Sequence, residues 1–207
     1  MTQLDYQSQD TWKADTSWQS PIDLNLKTLI PQKLTQQPLA ITFPSKQDIN
    51  EQPSASGMQF LATGELKFKG QTYQLQRFHF HDGSEHLFDG QRLSCELHFV
   101  FSGPNKETLV LAVLCALNPT KTNRQIADIF AGKCNDQELA NLIPTKLAYV
   151  TYTGTLTTPP LKSDVTWVVL TTALEISPVS AAAIKNAFAN NHRQVQPLNK
   201  RPINWFC

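Results

Sequence analysis

Apolar and polar residues alternate through the middle of the chain, and that period of two predicts strands rather than helices. Residues 64–68 set Leu66 and Phe68 against Glu65, Lys67 and Lys69, as a half-exposed strand would, and a turn follows at Lys69-Gly70. Residues 73–81 and 93–101 read as two further strands joined by a polar connector that carries Asp82, Gly83, Asp89 and Gly90. In a strand, residues i and i+2 point to the same face. His79 and His81 therefore share one face and Phe78 and Phe80 the other, while Glu96, His98 and Val100 share a face of the second strand. Residues 109–117 are apolar at every position, which predicts a central strand covered on both sides. Residues 149–156 and 165–172 are β-branched and aromatic strand material. Shorter stretches are expected at Leu39, Ile41 and Phe43, around Ile49, and at 58–62.

Helical spacing is rarer. Residues 122–131 place Ile126, Ile129 and Phe130 on one side, with Gly132 as a cap, and residues 137–142 suggest one more turn before Pro144. Residues 180–189 form the best helix, with Ile184 and Phe188 on one face and Ser177 or Ser180 at its start. Residues 1–18 look irregular and peripheral, with Tyr6, Trp12 and Trp18 as anchors, and residues 190–207 are polar and punctuated by proline. The expected class is mainly β (α+β): one domain over residues 1–207, built on a large, mostly antiparallel twisted sheet. A chain of 207 residues can bury an ordinary core without disulfides or a structural metal.

Composition narrows the function. The net charge is +1 and there is no basic block, which argues against a nucleic-acid partner. The longest apolar run, 109–117, is too short to cross a bilayer, so no transmembrane segment is expected. The first eighteen residues have neither the basic head nor the apolar run of a signal peptide. The expected location is the cytoplasm if the chain is complete, and the periplasm or the exterior if a signal has been removed. The spacing of Cys95, Cys115, Cys134 and Cys207 fits no zinc ribbon or redox motif.

Four of the five histidines fall within residues 78–98. Two neighbouring antiparallel strands would bring His79, His81 and His98 together. Three histidines with an open fourth position are the pattern of a catalytic zinc site. Imidazole also suits iron, nickel and copper, and Glu85 and Glu96 remain open as carboxylate ligands, so spacing alone does not name the metal.

These stretches resemble the alpha-class carbonic anhydrase family. FHFHDGSEH (78–86) and ELHFV (96–100) resemble its blocks around the zinc, and QSPIDL (19–24) resembles its N-terminal signature. YTGTLTTPP (152–160) with VTW (165–167) resembles its active-site loop and the strand behind it, and NHRQVQPLNKR (191–201) its C-terminal block. The resemblance implies Zn2+ held by His79, His81 and His98, and no organic cofactor. It gives Thr157 as the hydroxyl that accepts a hydrogen bond from the attacking hydroxide, and Glu85 as the carboxylate that orients Thr157. Glu96 becomes the carboxylate behind His98, and His86 a scaffold histidine. Thr158 would line the substrate site, and Val100, Val113, Leu156, Val165 and Trp167 the apolar wall that receives carbon dioxide. Tyr6 matches a tyrosine near Thr157. The implied reaction is reversible hydration of carbon dioxide to bicarbonate, with side activity on activated esters.

The chain departs from the family at three places. Arg77 stands where the family has a glutamine that accepts a hydrogen bond from the first zinc histidine, and arginine has no acceptor. The proton-shuttle histidine of many members is replaced by Met58, in Ser56-Gly57-Met58. Leu161 and the lack of any cysteine before Cys95 exclude a disulfide common in secreted bacterial members. The rival expectation is a carbonic-anhydrase-like binding or structural protein without catalysis. Bacterial members are often dimers, which leaves a homodimer open.

Overall fold

The computed structural model describes residues 4–44, 47, 49–54, 57–133 and 139–207. Cys134, Ser56 and the start of the 137–142 turn lie outside them. In chain order the strands are β1 (Asp23–Leu24), β2 (Pro31–Gln32), β3 (Ala40–Thr42), β4 (Asn50–Ser54), β5 (Gly57–Leu61), β6 (Glu65–Phe68) and β7 (Gln71–Asp82). They continue with β8 (Leu87–Phe88), β9 (Gln91–Arg92), β10 (Cys95–Ser102), β11 (Thr108–Leu117), β12 (Tyr149–Gly154), β13 (Val165–Ile176) and β14 (Ile203–Phe206). Helix α1 spans Gln125–Phe130 and α2 spans Pro178–Phe188.

Eleven strands form one sheet with the path β2-β14-β12-β13-β11-β10-β7-β5-β4, and β3 and β6 extend it beside β7. Its pairs are antiparallel except β11 with β13 and β14 with β2. A separate small sheet, β1-β8-β9, closes over the connector between β7 and β10. The sheet is covered on both sides, which is why β11 is apolar from Leu109 to Leu117. One face carries Phe60, Phe78, Phe80, Phe99, Leu111 and Val113, with Ile126 and Ile129 of α1 and Ile184 and Phe188 of α2 against it. Aromatic packing tightens that side: Phe60 stacks on Phe78 at 5.1 Å, and Phe78 meets Phe99 at 5.5 Å. The other face carries Ile22, Leu24, Val100, Val110, Ala112, Leu114 and Trp167, and it is the histidine face.

Several elements end elsewhere than the local pattern predicts. Helix α1 begins at Gln125 rather than 122, because the Asn123 carbonyl accepts the hydroxyl of Ser177 from the other helix. Ser177, not Ser180, caps α2: its oxygen accepts the Ser180 amide at 3.2 Å, and Pro178 opens the helix. Strand β13 runs on to Ile176 because a register shift between Val113 and Cys115 lets it keep pairing with β11. Pro53 sits in β4 at the sheet edge, where a missing N–H costs no ladder bond. The tail contains β14, paired with β12 and β2. The N-terminal segment is less irregular than expected, since Tyr6–Thr11 forms 3-10 turns and Tyr6 packs edge-on against Trp12 at 5.4 Å. No helix among the described residues is long and apolar enough to cross a membrane.

Candidate metal centre

Strands β7 and β10 pair antiparallel with His79 opposite His98 and His81 opposite Glu96. The rings of His79, His81 and His98 converge, with centroids 4.6–5.2 Å apart. One nitrogen from each lies within 4.8 Å of the others, so the three could hold a metal ion. His86, Glu96 and His98 form a second such group. Hydrogen bonds decide between the two.

His98 Nε2–H donates to Glu96 Oε1 at 2.7 Å, which leaves the Nδ1 lone pair free. His81 Nδ1–H donates to the Asn191 carbonyl at 2.6 Å, which leaves Nε2 free. These two free nitrogens lie 3.1 Å apart. Two nitrogens on one tetrahedral zinc, with bonds of about 2.0 Å, lie roughly 3.3 Å apart, so the donor set fits. Both nitrogens of His86 are already used: Nδ1–H donates to Glu96 Oε1 at 2.6 Å, and Nε2 accepts the Tyr152 hydroxyl at 2.6 Å. Glu96 Oε2 also accepts the His86 amide at 2.8 Å. The second group is a saturated scaffold, with His86 locked inside it.

Electrostatics supports the neutral imidazoles. Burial lowers His79 well below its ordinary value, helped by the neighbouring positive charges of His81, His98 and Arg77. Burial likewise lowers His81. Burial by itself raises the Glu96 carboxyl, but His86 and His98 outweigh it and hold Glu96 well below the carboxylate range.

The triad borders a cavity of about 290 Å³ lined by Arg77, His79, His98, Gln59, Ser54, Leu4, Thr157, Thr158, Val100, Val110, Leu156, Pro159 and Trp167. Val100, Leu156, Trp167, Thr157 and Thr158 thus reach the cavity as expected. Val113 does not: it points into the opposite core, and Val110, the partner of Val100 across β10 and β11, takes that position. Val165 belongs to the apolar cluster with Val100 and Trp167 but does not line the cavity. Met58 packs against the other core, and Gln59 is the cavity residue of β5.

Glu85 is fully buried beside the triad, with Oε2 3.9 Å from His98 Nδ1. Its Oε1 accepts the Arg193 amide at 2.7 Å. Its Oε2 has no hydrogen-bond partner and lies 3.5 Å from His81 Nε2. Among the described residues no hydrogen bond joins Glu85 to Thr157, so the expected contact is not formed here. Tyr6 is half-buried with its hydroxyl enclosed and unpartnered, and burial, then the charge of Glu85, raises its phenol. Arg77 offers His79 no acceptor, and neither nitrogen of His79 finds a hydrogen-bond partner among the described residues.

Local sequence gave no sign of Asn191 and Arg193 beyond the block they belong to. Asn191 fixes His81 from 110 residues away, and its side chain bonds the Phe80 carbonyl and the Asp82 amide. Arg193 fixes Glu85 and binds the Ser20 carbonyl and the Gln19 side chain. Two buried polar residues in a polar tail are the only signal that was available.

Converging imidazoles, two of them tautomer-fixed, stand beside an open cavity and could hold a metal ion. The chain belongs to the eukaryotic-type, or alpha, carbonic anhydrase family, whose pattern matches residues 7–206. A carbonic anhydrase of Nostoc sp. is 31% identical to it, over 89% of this chain and 74% of that protein. The alpha-carbonic anhydrase of Photobacterium profundum superposes with a TM-score of 0.81 at 27% identity, covering 94% of this chain and 93% of the other. Dioscorin DB3L of Dioscorea polystachya is 32% identical over 63% of this chain and 54% of its own length.

Proposed function

We propose that the protein catalyses the zinc-dependent, reversible hydration of carbon dioxide to bicarbonate and a proton. The observation that carries this reading is the pair of free nitrogens on His81 and His98, aimed at one point by hydrogen bonds from behind. When bound, zinc supplies Lewis acidity that brings the pKa of a water from 15.7 to about 7, so that hydroxide is available at neutral pH. His79, His81 and His98 would hold it as neutral donors. Glu96 and the Asn191 carbonyl keep two of those rings in the donor tautomer. The unpartnered Glu85 Oε2 would accept a hydrogen bond from the Thr157 hydroxyl, a contact not formed in this structure, which would leave the Thr157 oxygen to accept from the attacking O–H. Val100, Val110, Leu156 and Trp167 form a dry wall for carbon dioxide, with Thr158 at its polar edge. Zinc content and carbon dioxide hydration, measured on the same preparation, test the reading.

Proton release depends on outside help. Among the described residues no imidazole besides those of His79 and His98 lines the cavity, so the proton passes to buffer. Turnover at saturating carbon dioxide is expected to rise about tenfold with added imidazole buffer. Gln59→His, at the cavity position of β5, should flatten that dependence. A turnover of the parent protein that ignores buffer would rule this out.

Arg77 weakens the support of one ligand. Arg77→Gln restores an acceptor beside His79 and should tighten zinc binding by about tenfold or more. Competition with a chelator measures it, and an unchanged affinity refutes it. The rival reading, a silent binding protein, draws on the same unsupported His79 and on the likeness to dioscorin DB3L. It predicts zinc-free protein without hydration activity.

A further inference from the structure

We propose that Arg77 makes the cavity beside the histidine triad a binding site for small planar oxyanions, bicarbonate and simple carboxylates, with a charge that the chain itself supplies. The inference deepens the proposed function and rests on that reading for the identity of the anion. Strand alternation places Arg77 on the face of His79 and His81, opposite Val100 of β10, and all but His81 of these residues line the cavity. Among the described residues no aspartate or glutamate lines the cavity.

The other arginines show what a structural arginine looks like in this protein. Arg193 binds the Ser20 carbonyl at 2.7 Å and Gln19 Oε1 at 2.6 Å. Arg201 binds the carbonyls of Leu198, Gln19 and Pro197 at 2.7–2.9 Å. Arg92 binds the Ser84 carbonyl, and Arg124 reaches Asp128 at the surface. Among the described residues Arg77 has no hydrogen bond and no ion pair. Its five N–H donors are uncommitted beside the cavity, and a guanidinium fork matches a planar oxyanion in two parallel hydrogen bonds. Thr157, Thr158 and Gln59 border the same space and add hydroxyl and amide donors. A cavity of about 290 Å³ has room for bicarbonate or formate. Neutral carbon dioxide gains little from this charge, whereas bicarbonate gains directly, so Arg77 acts on the anionic side of the reaction.

The test compares the parent protein with Arg77→Met, which removes the charge and, like arginine, offers His79 no oxygen or nitrogen acceptor. Cobalt-substituted protein reports anions near the metal through its visible spectrum. Metal-free protein reports them through line broadening of 13C-labelled bicarbonate and formate. In both forms the dissociation constant is expected to rise at least about tenfold in Arg77→Met, with Arg77→Lys in between because it keeps the charge and loses the fork. Arg77→Gln supplies the contrast in the metal-free form if Arg77→Met does not fold. Equal affinities with and without Arg77 in both forms overturn the inference, even if zinc and hydration activity are present. A tenfold difference in the metal-free form supports it even if the protein proves to lack hydration activity, which is the result that would sink the enzymatic reading alone.

Discussion

His98→Ala is expected to lose stoichiometric zinc and to lower carbon dioxide hydration at least about a thousandfold. His98 supplies one of the two free nitrogens that lie 3.1 Å apart, and its ring bridges the metal position to Glu96. Alanine removes the donor and opens a void between Glu96 and Trp167, whose ring lies 5.0 Å from that of His98. Glu96 keeps both its contacts with His86, so the scaffold retains most of its hydrogen bonds and the chain should still fold. Metal analysis with stopped-flow hydration, checked by circular dichroism, gives the result. Full zinc retention with a rate within tenfold of the parent would show that His98 is not a ligand.

Glu96→Ala should cost about 3–5 kcal/mol of stability, the range for stripping one partner from a buried charged network. Its carboxylate is the common acceptor for the His98 Nε2–H, the His86 Nδ1–H and the His86 amide, all fully buried. Alanine leaves those donors without partners in a dry interior, where each orphan costs about 1–3 kcal/mol. Zinc affinity should also fall by about 10- to 100-fold, because His98 loses the group that fixes its tautomer. Glu96→Gln separates the effects. It keeps the volume but turns an NH2 donor toward an existing N–H, so its stability loss should fall between those of the parent and alanine. Urea unfolding and chelator competition measure both quantities. An alanine variant within about 1 kcal/mol of the parent would mean the network is not the strut it looks like.

Parity within a strand is a local property, and it made most of the centre legible. His79 and His81 had to share a face opposite Phe78 and Phe80, and Glu96 and His98 had to share one on the next strand. Parity failed where both faces are apolar. In β11 every residue is a candidate for either core, so Val113 and Val110 could not be told apart until pairing with β10 set Val110 beside Val100. Met58 is placed by its match to the family's shuttle block, and the structure turns its neighbour Gln59 to the cavity instead.

The sequence by itself determined the strand alternation, the three imidazoles on one side, the lack of an acceptor on Arg77 and the absence of a shuttle histidine at Met58. Tertiary structure decided which nitrogen of each ring is free. That choice depends on partners distant in the chain: the Asn191 carbonyl behind His81, the Arg193 amide on Glu85, and Tyr152 closing the His86–Glu96 network. A buried ring nitrogen takes its role from whatever donor or acceptor the fold brings to the other nitrogen, and no local pattern of residues encodes a contact made from 110 positions away.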